Sequence, residues 1–410
     1  MLLIEGAEDY YNALQKAEEE EKEVDADTLW KDVGIKALDE QTLEVTLINP
    51  TPYFPELVAF YTFFPTPQKV IEEHGDDWTK PANIVTNGAY KLDDYQPQKH
   101  IIFAKNDQYW DKDNVSIEKA KARIIPDRTA VVNAYRAEKL HWSGAGLPVS
   151  QISSLVSHPD YRRDPMLGTY YFRVNVSDEE SPLADPRVRK ALSMSVDRKN
   201  LVDNALNGLY EPATSYVPAS MAAFESTTET NFSPKKAKDL LAEAGYGKDG
   251  EEFPKVALLY NTDENHKLVA EAVQSMWQRY LGIEVELVNK EWKMYLKDVD
   301  NLEYEIARAG WIGDYNDPMT FLDMWETGNG NNDTGWSNEK YDSLISQARA
   351  ETDAKKRTEL LQQAEELLLA EGPVIPVYFY TTNALVARRL AGFEAHNRDI
   401  HLLKYMSLPE

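Results

Sequence analysis

Charged and aromatic side chains are concentrated in one short stretch of the sequence, ARAGWIGDYNDP at residues 307–318. Arg308, Asp314 and Asp317 could each bind a group of opposite charge, and Trp311 could pack against an apolar one. The preceding residues, NLEYEIA, alternate apolar and polar side chains, which predicts a strand leading into this stretch. An unpaired ion at a buried strand end loses its hydration without compensation. These charges therefore either face water or await a partner of opposite charge.

The DYNDP segment has three other interpretations, namely calcium binding, glycosidase catalysis and helix capping. Asp314, Asn316 and Asp317 offer oxygen ligands for calcium, but the segment lacks the glycine and the distant glutamate of an EF-hand loop. Two carboxylates from one tight turn cannot readily flank a glycosidic bond, as a glycosidase requires. Asp317 directly precedes Pro318 and could simply cap a helix that begins there. Capping leaves Asp314 unexplained.

Signature motifs of catalysis and of metal binding are absent from the sequence. It contains no GxGxxG, GxxxxGK[ST], GxSxG or HExxH motif, and its seven histidines show no ligand spacing. The absence of cysteine excludes disulfides, thiolate nucleophiles and thiolate metal ligands. We therefore predict no catalytic residue, no metal site and no cofactor.

The net charge of −25, from 69 acidic and 44 basic residues, favours solubility and argues against nucleic acid and anionic membrane as partners. No stretch approaches the roughly 20 apolar residues that a membrane-spanning helix needs. The first residues, MLLIEGAEDYYNA, lack the basic region and the apolar run of a signal peptide.

The elements that must position residues 307–318 alternate between strands and helices. At 410 residues the chain is too long for one simple core, which predicts two or three lobes. KVALLYN, the helical stripe in HKLVAEAVQSMWQRYLG, and IEVELVN follow a strand–helix–strand order that requires a mostly parallel sheet. Asp185 before Pro186 and Ser233 before Pro234 predict two further helix starts. The predicted fold class is therefore α/β, or mixed α+β.

Several longer motifs resemble a known family. GWIGDYNDPMTFLDMW, SPKKAKDLLAEAGYG, ADPRVRKALSMSVDR, ANIVTNGAYKL and IPVYFY are similar to segments of the periplasmic oligopeptide-binding proteins of peptide ABC transporters, the extracellular solute-binding proteins of family 5. The resemblance runs from about Val33 to Tyr405 and keeps the order of every block. It implies a clamshell fold, like that of periplasmic binding proteins, in which two lobes joined by a hinge enclose a peptide.

The resemblance also implies a function and a location. A member of this family captures short peptides and delivers them to the membrane permease of an ABC transporter, without catalysis. We expect such a receptor to be a monomer in the periplasm or at the outer face of the cytoplasmic membrane.

The same resemblance implies a division into lobes. Residues 1–65 would be a remnant of the small extra lobe, 66–167 with 382–410 the first binding lobe, and 168–381 the second. The chain begins inside the family's pattern, so we expect the first lobe to be incomplete at its N-terminal strands. A sheet without those strands would expose an edge. A fragment, a misplaced start codon and a reduced relative are the three explanations left open.

By resemblance, the ligand lies along residues 308–314. Asp314 matches the aspartate that accepts the peptide's α-ammonium, and Arg308 matches the arginine that binds its carboxylate. Six residues of extended chain separate the two, which is roughly 20 Å and of the order of a short peptide. Between them, the main chain at Gly310 and Ile312 would pair with the peptide, as in β-augmentation. The alternative for Arg308 is an ordinary structural ion pair.

The resemblance implies further contacts from five side chains. His266 matches a histidine that helps to hold the carboxylate of longer peptides, and the alternative is a surface residue at a helix start. Trp292 and Trp311 match residues that wall the side-chain pockets, and a core position is the alternative for Trp292. Tyr171 and Tyr380 match tyrosines that direct hydroxyls to the ligand or its waters.

Other functions remain open on the sequence alone. A murein-peptide or dipeptide receptor of the same family would use the same aspartate. A truncated fragment that keeps the fold could lack a complete cleft and bind nothing. A carboxylate-dependent hydrolase would require a second acid across the cleft from Asp314, and the sequence supplies no candidate.

Overall fold

The computed structural model describes residues 3–247 and 250–409. Its strands form a two-stranded, a three-stranded and a six-stranded sheet. In chain order they are β1 Ile35–Ala37, β2 Leu43–Val45, β3 Tyr90–Gln96, β4 His100–Lys105, β5 Lys119–Arg123, β6 Tyr161–Val174, β7 Glu211–Pro212, β8 Val256–Asn261, β9 Val285–Lys290, β10 Ile306–Ile312 and β11 Val374–Leu385.

The described residues also form α-helices, and the two longest of them lie in the second half of the chain. They are α1 Ala7–Glu19, α2 Ala26–Trp30, α3 Phe54–Leu57, α4 Gln68–His74, α5 Arg128–Arg136, α6 Ile152–Leu155, α7 Pro186–Met194, α8 Arg198–Asn200, α9 Pro234–Glu243, α10 Glu264–Leu281, α11 Trp292–Asp300, α12 Met319–Leu322, α13 Glu339–Ala350 and α14 Ala354–Glu371. Short 3₁₀ or π turns join them at Tyr61–Phe63, Gly75–Thr79, Lys112–Asn114, Val149–Gln151, Pro182–Ala184, Leu201–Ala205, Asp323–Trp325 and Leu403–Tyr405.

None of the helices within these described ranges is both long enough and apolar enough to span a bilayer.

The six-stranded sheet has the order β7-β11-β6-β10-β8-β9. Strands β8 and β9 are parallel and are joined through α10, as the strand–helix–strand pattern predicts. Strand β10 is parallel to β8 but antiparallel to β6, and β6, β11 and β7 continue antiparallel. The mixed α/β class is therefore confirmed, whereas the prediction of a mostly parallel sheet is wrong.

The strand next to the charged stretch begins later than its alternation suggests. Residues NLEYEIA predict a strand at 301–307, but β10 covers Ile306–Ile312 and so contains Arg308 itself. The backbone turns at Leu302, where φ is +57°, before the strand begins. Arg308 is thus a strand residue between two neighbours, and Asp314 follows the strand in a turn.

The helix starts follow the predicted cap residues in part. Asp185 accepts a hydrogen bond from the backbone N–H of Arg187 at 2.8 Å and caps α7. Ser233 occupies the equivalent position before α9, but its side chain makes no capping hydrogen bond. Proline at the first helical position serves both helices, since its missing N–H has no partner there anyway.

Two long antiparallel strands cross the expected boundary between the binding lobes. Strand β6 pairs with β11 from the Arg173–Val374 end to the Tyr161–Leu385 end, with register shifts on the way. One shift lies where Phe379 pairs with Thr169 and Thr381 pairs with Pro165, so β6 has extra residues at 166–168. An irregularity of this kind bends a strand pair. It coincides with the boundaries expected at 167/168 and 381/382.

Two hydrophobic clusters cover the opposite faces of the six-stranded sheet. Neighbouring residues of β6 point to opposite sides, so Tyr170 lies in the first cluster and Tyr171 in the second. The first cluster includes Trp277 from α10, and the second includes Trp325. Each of these four side chains is at most 1% exposed. The sheet bearing Arg308 is therefore held rigidly between two packed layers.

The segments expected to form the first lobe are packed less deeply. No residue of β3, β4 or β5 is buried, and the neighbouring Trp110 is 83% exposed. A separate cluster joins Trp142 to Phe393 and Met406, which links 66–167 to the C-terminal segment. Helices α5 and α6 instead contribute to the first cluster of the large sheet. Residues 1–2 and 410, at the ends of the expected lobes, lie outside the described residues.

Candidate functional site

Strand β10 has one open edge. It pairs with β6 along its whole length, from Ile306 to Ile312, but with β8 only at Ile306 and Ala307. Beyond Ala307, the side of the strand that faces away from β6 has no strand partner among the described residues. An unpaired strand edge in a sheet is a template for another extended chain.

The polar groups along this edge belong to alternate residues. The carbonyl of Glu305 faces β6 and accepts from the N–H of Asn175 at 2.9 Å, whereas the carbonyl of Arg308 accepts from the hydroxyl of Tyr295 on the other side. Since the backbone groups of successive strand residues address opposite neighbours, Gly310 and Ile312 direct theirs to the open edge. Both residues are exposed. The edge can therefore accept and donate main-chain hydrogen bonds.

Gly310 allows a tyrosine to approach this edge closely. A Cβ atom at position 310 would lie 2.5 Å from the hydroxyl oxygen of Tyr380 and would clash with it. Only glycine therefore allows the hydroxyl to occupy this position. Burial raises the pKa of Tyr380, and the nearby Arg308 lowers it in part. The hydroxyl is therefore protonated at neutral pH and can donate a hydrogen bond beside Gly310.

The Arg308 guanidinium lies at one end of the open edge. Its Nε donates to the amide oxygen of Asn261 at 2.7 Å, and its centre lies 5.8–5.9 Å from the rings of Tyr170, Trp292 and Tyr295. Within residues 3–247 and 250–409, no carboxylate oxygen lies within the 4.0 Å of a salt bridge to Arg308. The alternative of an ordinary structural ion pair is therefore wrong. A cation held by rings and an amide can bind a carboxylate from elsewhere.

His266 lies beside this guanidinium. Its side chain is 15% exposed and packs on Tyr170, with the two ring centroids 5.5 Å apart. Burial, and then the charge of Arg308, lower the pKa of His266 to about 4, so the imidazole is neutral at pH 7. Its Nδ1 is buried with no hydrogen-bond partner in the described part of the chain. The alternative of a surface residue is wrong, since Asp263 caps the helix and His266 faces inward.

Two helices begin next to Arg308. Strands β8 and β9 both end there, and α10 and α11 start after them at Glu264 and Trp292. Helix N-termini carry partial positive charge, and ligands of α/β sheets commonly bind at the carboxyl ends of the strands. Trp292 is 47% exposed and stacks on Tyr295, with centroids 5.6 Å apart, so its core alternative is wrong. This end of the edge is cationic with an aromatic wall.

Asp314 lies at the other end, in the turn after β10. Its backbone N–H donates to the hydroxyl of Thr320 at 3.1 Å, and its carbonyl accepts from the guanidinium of Arg398. No side chain of the described residues donates a hydrogen bond to its carboxylate or pairs with it. Burial raises the pKa of Asp314, and Arg398 lowers it in part. A partly buried carboxylate without a partner suits a cation that arrives with a ligand.

The neighbouring Asp317 has a structural role. It accepts from the N–H of Met319 at 2.9 Å at the start of α12, as the capping interpretation predicts. Its two oxygens also accept from Arg357 at 2.8 and 2.7 Å, and that guanidinium lies 4.9 Å from the ring of Tyr53. This arrangement fixes the turn, and of its two aspartates only Asp314 has no side-chain partner among the described residues.

Two predicted site residues lie on the opposite face of the sheet. Trp311 packs against the second cluster, and its indole N–H is buried with no partner among the described residues. It is partly exposed and can wall a pocket on that face, since the side chains of an added strand point to both faces. Tyr171 is 0% exposed and packs between Tyr216 and Trp325. The expectation that the Tyr171 hydroxyl reaches a ligand is therefore wrong, because the core encloses it.

The structure adds four residues that sequence reasoning missed. Tyr170 takes the place expected for Tyr171, and the YY pair alone gives no sign of which ring faces Arg308. Asn261 and Tyr295 hold Arg308, and Arg398 holds the turn at Asp314. No sequence pattern marks Arg398, which comes from the C-terminal segment.

Comparison with known proteins identifies relatives of this chain. The sequence profile of the bacterial extracellular solute-binding proteins, family 5 (middle part), matches residues 6–333. The chain is 40% identical over 374 residues to the oligopeptide-binding protein OppA of Bacillus subtilis, covering 88% of this chain and 68% of that protein.

Two solved structures extend the comparison to the fold. A periplasmic oligopeptide-binding protein of Borrelia burgdorferi superposes with a TM-score of 0.84 at 31% identity, covering 99% of this chain and 78% of that one. The murein tripeptide-binding protein MppA of Escherichia coli gives 0.82 at 32% identity, covering 96% and 77%. Sequence profile, relative and structures agree over most of the chain, and the chain therefore belongs to the extracellular solute-binding proteins of family 5.

Proposed function

We propose that this protein is a receptor that captures short peptides and releases them unchanged. The observation that carries the proposal is the open edge of β10, with the Asp314 carboxylate at one end and the Arg308 guanidinium at the other. The peptide runs antiparallel to β10, with its α-ammonium at Asp314 and its carboxylate at Arg308. Main-chain bonds to Gly310 and Ile312 supply affinity that does not depend on the peptide's sequence.

The two ends of the site recognise different chemistry. The ammonium binds the partly buried Asp314 carboxylate, which has no side-chain partner among the described residues. The peptide therefore supplies the counter-ion that this carboxylate lacks. The carboxylate meets Arg308 and the N–H of a neutral His266, near two helix starts. Tyr380 donates beside the middle of the ligand, and Trp292 and Trp311 wall the pockets for its side chains.

The lobes and the partner are part of the same proposal. Residues 66–167 with 382–410 close on residues 168–381 by bending where β6 and β11 lose register, and residues 1–65 belong to the small third lobe. The receptor acts as a monomer in the periplasm or at the outer face of the membrane, and its partner is the permease of an ABC transporter. Relatives described as periplasmic oligopeptide-binding proteins support this location and partner.

Peptide hydrolysis is not part of this function. A hydrolase would need a second carboxylate facing Asp314 across the site. Asp317 is engaged by Arg357, and Asp323 lines a separate cavity beyond the turn. The bound peptide should therefore leave the site whole.

The experiment is calorimetry of the protein with trialanine, followed by mass spectrometry of the ligand. We expect one peptide per chain and complete recovery of trialanine. A folded protein that binds neither trialanine nor longer alanine peptides would contradict the receptor and favour a fragment that does not bind. Cleavage that tracks with pure protein and is lost in Asp314→Ala would indicate an enzyme instead.

A further inference from the structure

A cavity of about 460 Å³ lies between the N-terminal segment and the second lobe, beyond the turn that holds Asp314. Apolar side chains of the N-terminal segment form one wall. The opposite wall carries polar and charged groups from the turn after β10, the 3₁₀ turn Asp323–Trp325 and the end of α13. The polar and charged side chains that line the cavity include Tyr53, Tyr315, Asp323, Glu326, Arg349 and Glu8.

Two tyrosines present hydroxyls without partners to this cavity. Tyr53 is 4% exposed and Tyr315 is 6% exposed, and their rings stack with centroids 5.5 Å apart. Neither hydroxyl forms a hydrogen bond to any residue of the described chain. Burial raises the pKa of both tyrosines, and the charge of Asp323 raises it further. Both tyrosines line the cavity together with Asp323, and their hydroxyls, which have no protein partner among the described residues, are open to a ligand or to water.

The cavity carries excess negative charge. Arg349 forms a salt bridge with Glu326, so these two charges cancel locally. Asp323 has no ion-pair partner in the described residues, and Glu8 adds a further carboxylate at the rim. One carboxylate, two phenol oxygens and an apolar wall match the N–H groups and the methylenes of an organic cation.

We propose that this cavity binds an alkylammonium or guanidinium group, with Asp323 as its counter-ion and the Tyr53 and Tyr315 hydroxyl oxygens as further acceptors. The group can come from a free small amine or from a basic side chain of a bound peptide. The site lies apart from the open edge of β10, so a free amine can bind it without a peptide at that edge.

Burial gives this site a characteristic proton linkage. The pKa of Asp323 is raised to about 7, mainly by burial. The charge of Arg349 opposes this rise, and the carboxylates of Glu326, Asp314 and Asp317 add to it. The charge of this carboxylate in turn raises the pKa of Tyr53, Tyr315 and Tyr341. A bound cation requires the ionised carboxylate, so binding below pH 7 releases a proton.

The test is calorimetry with butylammonium and with butylguanidinium, using 1-butanol as a neutral ligand of similar shape. We expect the wild-type chain to bind both cations and not butanol. Asp323→Asn should weaken binding at least tenfold at pH 8, and Tyr53→Phe, which keeps the ring, should weaken it several-fold. Asp107→Asn, an exposed acid elsewhere on the chain, should bind as the wild type does.

The pH dependence gives a second readout. With a pKa of about 7 in the empty site, butylammonium should bind about tenfold more weakly at pH 6 than at pH 8. At pH 6, binding should release about 0.9 proton, measured in buffers of different ionisation enthalpy. In Asp323→Asn the release should vanish.

Two further titrations separate the sources of the cation. Butylammonium that binds equally well with and without saturating trialanine identifies a site for free amines. A lysine-containing tripeptide that competes with butylammonium, where its norleucine analogue does not, identifies a subsite for basic side chains. Equal binding of butylammonium by the wild-type chain and by folded Asp323→Asn and Tyr53→Phe would overturn the proposal.

Discussion

Replacing Arg308 by glutamine should selectively remove recognition of the peptide's carboxylate. In the structure the guanidinium is held by Asn261 and three aromatic rings and has no carboxylate partner in the described part of the chain. Its removal therefore strands no buried anion in the free protein. We expect Arg308→Gln to fold, with a cost of about 1 kcal/mol for the lost bond to Asn261.

The expected loss of peptide-binding free energy in Arg308→Gln follows from the type of contact that is removed. A hydrogen bond to a charged group contributes about 1.5–3 kcal/mol net. At about 1.4 kcal/mol per factor of ten, Arg308→Gln should weaken trialanine binding roughly 10- to 150-fold. His266 contributes less, since the imidazole is neutral at pH 7 and offers one N–H. His266→Ala should therefore cost less than Arg308→Gln.

The assay is calorimetry in a cycle of two proteins and two ligands, trialanine with a free carboxylate and trialanine amide. The wild-type chain should bind the amide more weakly, and Arg308→Gln should bind the two ligands almost equally. Arg279→Gln removes an exposed arginine from the far end of α10 and serves as the matched control. Equal losses for acid and amide in Arg308→Gln would refute the assignment of this end of the site.

Three further outcomes follow from individual contacts. Gly310→Ala should weaken peptide binding with little loss of stability. The new Cβ would lie only 2.5 Å from the Tyr380 hydroxyl oxygen and would push that hydroxyl away from the open edge. Calorimetry measures the effect on binding, and thermal melting measures the effect on stability. Tyr171→Phe should leave peptide affinity unchanged in the same titration, whereas Tyr380→Phe should weaken it, since only the second hydroxyl lies at the open edge. The pKa of Asp323 is about 7 in the folded chain, against an ordinary value of 3.8, so ionisation of this carboxyl opposes folding. It should lower the free energy of unfolding by up to about 4 kcal/mol as pH rises from about 4 to 7. Asp323→Asn should flatten that dependence in denaturant titrations at pH 5 and pH 8.

The amino-acid pattern alone determines the local elements well. Apolar alternation and helical stripes predict β8, α10 and β9, and Asp185 and Asp317 cap helices as expected. These features depend on neighbouring residues, so a single sequence contains them. The bounds of β10 are harder to predict from the sequence, because a charged residue within a strand is explained only by the groups that lie beside it in space.

The features of the site that the sequence did not predict depend on contacts between distant segments. Which of Tyr170 and Tyr171 faces Arg308 depends on the register of β6 against β10, which local pattern does not fix. Arg398 reaches Asp314 from a loop 84 residues further along the chain. His266 is neutral because Tyr170 and Arg308 enclose it, and neither is near it in sequence. Long-range packing, which no single segment encodes, decides each of these points.

The most direct measurement of the central claim tests the amine end of the site. Asp314→Asn keeps the turn, because Arg398 and Thr320 bind the main chain of residue 314 and not its carboxylate. Loss of a charged hydrogen bond together with a stranded buried carboxylate costs about 3–5 kcal/mol. At about 1.4 kcal/mol per factor of ten, N-acetyl trialanine should bind the wild-type chain roughly 100- to 4,000-fold more weakly than trialanine.

Calorimetry of both ligands with both proteins closes the cycle. Asp314→Asn should lose affinity for trialanine to the same extent and remain nearly unchanged toward the acetylated peptide. Equal losses for the two ligands in Asp314→Asn would contradict the account, since Asp314 would then shape the turn without meeting the amine.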